Sequence, residues 1–222
     1  MTLVPAAVPG RLHELVRADQ AGPVRPRAMA FSPERWIDRA PEHAATFSSL
    51  PELLDRESVR AFCARQHVDE PGAMRIFIAS QVWGYGGVGY GPFRLSEALA
   101  DQALPARLAQ SRAEVRAGRP VDGFRVLCVE HESPWVGTAF GSKFLHFADP
   151  DGRALILDSV VAGWLRKHAG LSFRCLRDER EYAAWLEIAA GWGSEFNLAP
   201  ERIELLIFTA GLPEKSQWRS ES

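Results

Sequence analysis

"SPWVGTAFGSKFLHFADPDGRALILDSVVAGWL", Ser133 to Leu165, is the stretch whose reading decides the fold. A glycine-punctuated turn around Gly137 and Gly141 leads into "SKFLHFA", an apolar run of helical character. The turn "DPDGR" and the apolar segment "ALIL" follow. Asp158 then stands where an N-cap belongs, in front of "SVVAGWL". Two short helices around a turn predict helical packing rather than a sheet.

Working outward, the helical signals continue. "FSPERWIDRA" offers Ser32 as N-cap and Pro33 at the first helical position. "LPELLDRESVRAFCARQ" carries Leu50, Leu53, Leu54, Val59 and Phe62 at helix-like spacings. "LPARLAQSRAEVRAG" opens at Pro105 and closes at Gly118, "DEREYAAWLEIAAGWG" is amphipathic, and "APERIELLIFTAG" runs from Pro200 to Gly211. "VDGFRVLCVE" is ambiguous between helix and strand. Residues 1–30, rich in Pro and Ala, read as an irregular N-terminal arm, and 31–222 as a single helical domain. The expected class is mainly α, arranged as one compact unit or as two helical lobes.

Composition excludes several function classes. The 222 residues, 46% of them hydrophobic and 24% charged, suit an ordinary globular protein with one substantial core. No apolar run approaches membrane-span length, and "MTLVPAAVPGRLHELV" lacks the basic-then-apolar build of a secretory signal. Cys63, Cys128 and Cys175 are widely separated, so neither a metal site nor a disulfide framework is expected, and a cytoplasmic setting fits. The net charge of −2 supplies no global pull toward nucleic acid, so any such contact must be local.

"WGYGGVGYGPF", Trp83 to Phe93, contains a formal GxGxxG at Gly84, Gly86 and Gly89, and "MRIFIASQV" before it could be a strand. A dinucleotide site needs a helix opening within the motif, whereas Gly91 and Pro92 prolong the loop. No cofactor is expected. Trp83, Tyr85 and Tyr90 suit a flat ligand or a close-packed crossing equally well. Arg112, Arg116 and Arg119 form a basic run that could track phosphates, although a solvated helix face is the commoner explanation. His146, Trp185 and Trp192 read as core residues.

Lys143 and Asp158 make the sharper pair. The chain has 23 Arg but only 3 Lys, and one of those lysines is placed at the head of an apolar helix. The positive end of that helix disfavours an ammonium by about 0.3–1 kcal/mol. An amine that can lose its proton is a nucleophile, which a guanidinium is not. An N-cap carboxylate beside Leu155, Ile156 and Leu157 stays ionised next to a dry wall. Together they are equipped to attack a sugar C1′ through a cationic transition state. Singly, each is commonplace.

The block "GTAFGSKFLHFA…ALILDSVVAGWL" resembles the helix–hairpin–helix DNA glycosylase superfamily, in which a glycine-rich hairpin leads to a catalytic lysine and an aspartate follows at the next helix N-terminus. The closer resemblance is to small bacterial proteins described as having the 8-oxoguanine DNA glycosylase fold. It rests on "WGYGGVGYGPFR", "GSKFLHFA", "LILDSVVA" and "ERIELLIF", and runs from about Arg75 to Phe208. It implies a helix–hairpin–helix-like element around 131–148, with Lys143 attacking C1′, a Schiff base capable of β-elimination, and Asp158 stabilising the transition state. Gly137, Gly141 and Ser142 would hold the DNA backbone, and Trp83, Tyr85 and Tyr90 would line the base pocket or fill the gap. The partner would be double-stranded DNA with an altered base, bound by a monomer away from any membrane. "SPWVGTAFGS" departs from the tight hairpin of larger members, and the four-cysteine iron–sulfur loop is missing. Two other readings stay open: a defence glycosylase removing a hypermodified phage base, and a DNA-binding adaptor without chemistry.

Overall fold

A computed structural model describes residues 7–25, 28–86, 89–130 and 133–220, with side chains as far as residue 212. The mainly α expectation holds: twelve α-helices, a 3₁₀ turn, a π-helical turn and one two-stranded antiparallel ribbon account for the regular structure of these residues. The ribbon pairs β1 (Met29–Ala30) with β2 (Leu53–Leu54). Leu53 and Leu54 therefore lie before the helix they were expected to join. That helix, α4 (Arg56–Ala64), starts at a capping box in which Asp55 and Ser58 satisfy each other's backbone N–H groups.

The N-terminal arm needs a correction. After α1 (Gly10–Ala21) the chain passes through β1, and α1 itself is a regular helix that buries Leu12 and Val16. Prolines and alanines on either side dilute its periodicity, but Leu12 and Val16 are one turn apart and form the buried stripe. Asp19 ties it to Arg202 of the last helix.

Three short elements, α2 (Glu34–Ile37), a 3₁₀ turn (Pro41–His43) and α3 (Ala44–Ser48), connect β1 to β2. The centre of the molecule is α5 (Glu70–Tyr85), capped by Asp69. Ile76, Phe77, Ile78 and Ala79 are all essentially inaccessible, so this helix is buried on every face. That is why "MRIFIASQV" resembles a strand in sequence: burial all round erases the 3.6-residue periodicity. Around α5 pack α4, α6 (Gly91–Leu99), α7 (Leu104–Arg116) and α9 (Thr138–Ala148). The ambiguous "VDGFRVLCVE" is α8 (Pro120–Phe124) continued by a π-helical turn, Arg125–Val129. A second group forms where α12 (Pro200–Ser220) meets α1, α10 (Ser159–Ala169) and α11 (Glu179–Phe196). Arg56 of α4 and Glu204 of α12, both buried, join the two groups through a bidentate ion pair. No helix among the described residues is long and apolar enough to cross a membrane.

Candidate active site

The site is built where α9 and α10 converge. Helix α9 begins at Thr138, with Gly137 as its N-cap, so Lys143 lies in its second turn and not at its head. The correction has a steric cause. Gly141 is no turn residue but an interior helix position at which a Cβ would overlap Cys128 Sγ. The glycine lets α9 press against the π-helical turn. The helix dipole, which acts within the first turn, therefore contributes less to Lys143 than its place in the sequence suggests.

Asp158 is held by an unusual segment. Ala154–Leu157 is fully buried and has no strand partner. Buried peptide groups must be satisfied somewhere, and here side chains do it. Asp149 Oδ2 accepts from Ala154 N at 2.6 Å, and Tyr182 and Trp185 donate to the carbonyls of Leu155 and Ile156, each at 3.1 Å. Ser142 Oγ accepts from Leu157 N at 3.0 Å and lies 3.3 Å from the Leu157 carbonyl. His146 Nε2 is 3.0 Å from Arg60 Nη2, a group that can only donate. The ring proton therefore sits on Nδ1, which donates to the Ala154 carbonyl at 3.0 Å. Burial, then the charges of Arg56 and Arg60, push this imidazole well below the ordinary histidine value.

The end of that segment is Asp158, N-cap of α10. Its two oxygens are divided. Oδ1 accepts from Val160 N at 2.9 Å and Val161 N at 3.1 Å, while Oδ2 accepts from Lys143 Nζ at 2.7 Å. The pair is closed off from solvent, with Lys143 5% and Asp158 7% exposed. Burial by itself would raise the Asp158 carboxyl, but the Lys143 ammonium and the two amides outweigh it and hold the group below the ordinary carboxylate value.

Gly84, the first glycine of the GxGxxG run, and Phe140 complete the lysine's channel. A Cβ on Gly84 would lie 2.8 Å from Lys143 Cδ, so the absence of a side chain there makes room for the aliphatic stem. Phe140 presents its ring 5.6 Å from Nζ, a cation–π contact. Cys175 lies in the same electrostatic field. Its thiol is pushed up to about 11 by burial and then by Asp158 and Glu181.

The three aromatic candidates separate. Tyr85 lies tilted against Phe140 at 4.3 Å and meets Tyr90 at 6.4 Å, which places both on the lysine's side. Trp83 turns the other way, against Phe147, Phe208 and Arg56. The candidate backbone-binding residues separate too. Gly137 faces open space. The Gly141 amide is engaged with the Gly137 carbonyl at 2.8 Å inside the helix, and Ser142 is buried on Leu157. The expected basic run also disperses. Arg112 is buried and donates to the carbonyls of Gln66 and His67, Arg119 pairs with Glu114, and Arg116 is exposed. Within the hairpin, residues 131 and 132 lie outside the described residues. The rest, Ser133–Gly137, is pinned by Arg177 on the Ser133 carbonyl.

Against this geometry, comparison with known proteins finds a family model described as "Putative 8-oxoguanine DNA glycosylase OGG-like protein", which matches residues 22–208. No curated protein and no solved structure matches the chain.

Proposed function

Because the chain belongs to this 8-oxoguanine DNA glycosylase-like family, we propose that it excises an altered base from DNA, with Lys143 as nucleophile and Asp158 as its partner. The observation that carries the reading is the division of the Asp158 carboxylate. One oxygen suffices to cap α10, so the cap does not require a lysine on the other. A buried amine held at 2.7 Å from a proton acceptor is an expensive arrangement to keep for packing alone.

On this reading a flipped nucleotide brings C1′ to Nζ. Asp158 Oδ2 takes a proton from the ammonium, and the freed lone pair attacks C1′ as the bond from C1′ to the base breaks. The departing base carries away that electron pair and takes the proton from Asp158, and the carboxylate so restored faces the positive charge that has developed on the sugar. Opening of the sugar ring then leaves a Schiff base on Nζ. Loss of a C2′ proton expels the 3′-phosphate, which is the lyase step. Gly137, at the open N-terminus of α9, is the backbone contact that remains in position to face a phosphate.

The test is base release measured by mass spectrometry, from an 8-oxoguanine duplex and from genomic DNA of phages carrying different modified bases. Release of one altered base, lost in Lys143→Gln, is expected. Tight DNA binding with no base released from any substrate would leave the adaptor reading in its place.

A further inference from the structure

Several arginines are paired with carboxylates inside the fold: Arg56 with Glu204, Arg202 with Asp19, Arg107 with Asp101. Three around α2 and α6 are not. Arg35 and Arg39, on and just after α2, and Arg94 on α6 have no carboxylate within ion-pair distance among the described residues. Arg35 reaches the Gly89 carbonyl at 3.3 Å, and Arg94 lies over the Tyr90 ring at 5.1 Å. A cleft of about 220 Å³ opens between α2 and α6, with Arg35, Arg39, Gly89 and Phe93 in its walls and Asp38 its one carboxylate. Two large rings stand on this surface, Tyr90 at 53% and Phe93 at 44% exposed.

The surface is continuous with the site at two points. Tyr90 touches Tyr85, which packs at a tilt on the Phe140 ring facing Lys143. Phe93 meets Trp135 of the hairpin at 6.0 Å, immediately before α9. Exposed rings interleaved with unneutralised guanidinium groups are what a strand of nucleic acid needs. Bases stack on the rings and phosphates lie against the charges.

Resting on the glycosylase reading, we propose that the α2–α6 surface is where the DNA strand carrying the target nucleotide lies, with Arg35, Arg39 and Arg94 on its phosphates and Tyr90 and Phe93 against its bases. The basic run of α7 does not take this role, because Arg112 is turned inward and Arg119 is paired. The cleft itself carries two arginines, Arg35 and Arg39, against one carboxylate, Asp38.

The experiment is fluorescence anisotropy with a labelled duplex containing a tetrahydrofuran abasic analogue, titrated at several salt concentrations. The Arg35→Gln/Arg39→Gln/Arg94→Gln variant is expected to reduce the slope of log K against log salt by about 2–3, one unit for each phosphate contact. Tyr90→Ala and Phe93→Ala should each weaken binding about fivefold or more and leave the slope intact. A triple variant that unfolds at the wild-type temperature yet keeps the wild-type slope overturns the proposal, as does a slope that falls instead in Arg116→Gln. Wild-type protein with no affinity for the duplex overturns this surface and the glycosylase reading together. Binding through this face without base release from any substrate overturns the glycosylase reading alone.

Discussion

Two buried ion pairs in this molecule look alike in a list of contacts and differ in what they can do. Arg56 and Glu204 meet through two parallel hydrogen bonds, and the guanidinium lies 5.7 Å from the Trp83 ring and 5.8 Å from that of Phe208. Both carboxylate oxygens are engaged with a group that does not give up its proton. Lys143 and Asp158 meet through one bond, and the second carboxylate oxygen is occupied by a helix cap. An amine, unlike a guanidinium, is a nucleophile once it has lost its proton. The first pair fastens two helical groups together; on the proposed reading the second holds the nucleophile. Burial alone does not distinguish them, whereas the denticity and the chemistry of the cation do.

The largest stability effect is expected at the fastening pair. Arg56→Ala leaves Glu204 charged and buried without its partner and should cost about 3–5 kcal/mol in denaturant unfolding. Lys143→Gln should cost less, about 1–3 kcal/mol, because Asp158 keeps the amides of Val160 and Val161. Equal losses in the two variants would erase the distinction drawn here.

His146 sits one turn beyond Lys143 and touches a third ion pair, Arg60 with Glu201. Its folded-state value is depressed, so below about pH 6.5 the unfolded chain takes up a proton that the folded one does not. Stability should therefore be complete above that pH. As the pH falls through the interval down to the folded value, it should decline by about 1.4 kcal/mol per unit. Thermal unfolding against pH reads this directly, and His146→Gln should remove the contribution.

The smallest stability effect is expected at Gly84→Ala. The new methyl meets the flexible lysine stem most closely and the edge of the Phe140 ring at 3.3 Å, so unfolding should shift by less than about 1 kcal/mol. Base release should nevertheless fall tenfold or more, since a displacement of about 1 Å at a reacting atom can cost about 100-fold. A variant as active as wild type would show that the lysine's channel has more freedom than its contacts suggest.

The sequence made much of this legible. The helix start at Pro200 follows ordinary capping chemistry, and Asp158 could be recognised as a cap from the apolar segment in front of it. The pairing of Lys143 with Asp158 followed from chemistry and resemblance, not from spacing. What could not be read depends on long-range contacts. Gly141 looks like a turn and is a helix contact because Cys128 is 13 residues away in sequence and adjacent in space. Ser142 looks available to a ligand, but the buried Ala154–Leu157 segment needs its hydroxyl. Arg112 belongs to a basic run in one dimension, yet in three it points inward to the carbonyls between α4 and α5. Gly84 stands out in sequence only as part of a GxGxxG run, while its role, to be small where a side chain from another helix passes, leaves no local signal.

The central claim is that the amine of Lys143 forms the covalent bond to the sugar. It is tested most directly by sodium borohydride trapping on an abasic duplex followed by peptide mapping, which does not depend on knowing the excised base. The account predicts a reduced adduct on the peptide containing Lys143, absent from a Lys143→Gln variant that still folds and binds the duplex. An adduct of undiminished yield in that variant, or one mapped to Lys167 in the wild type, would contradict it.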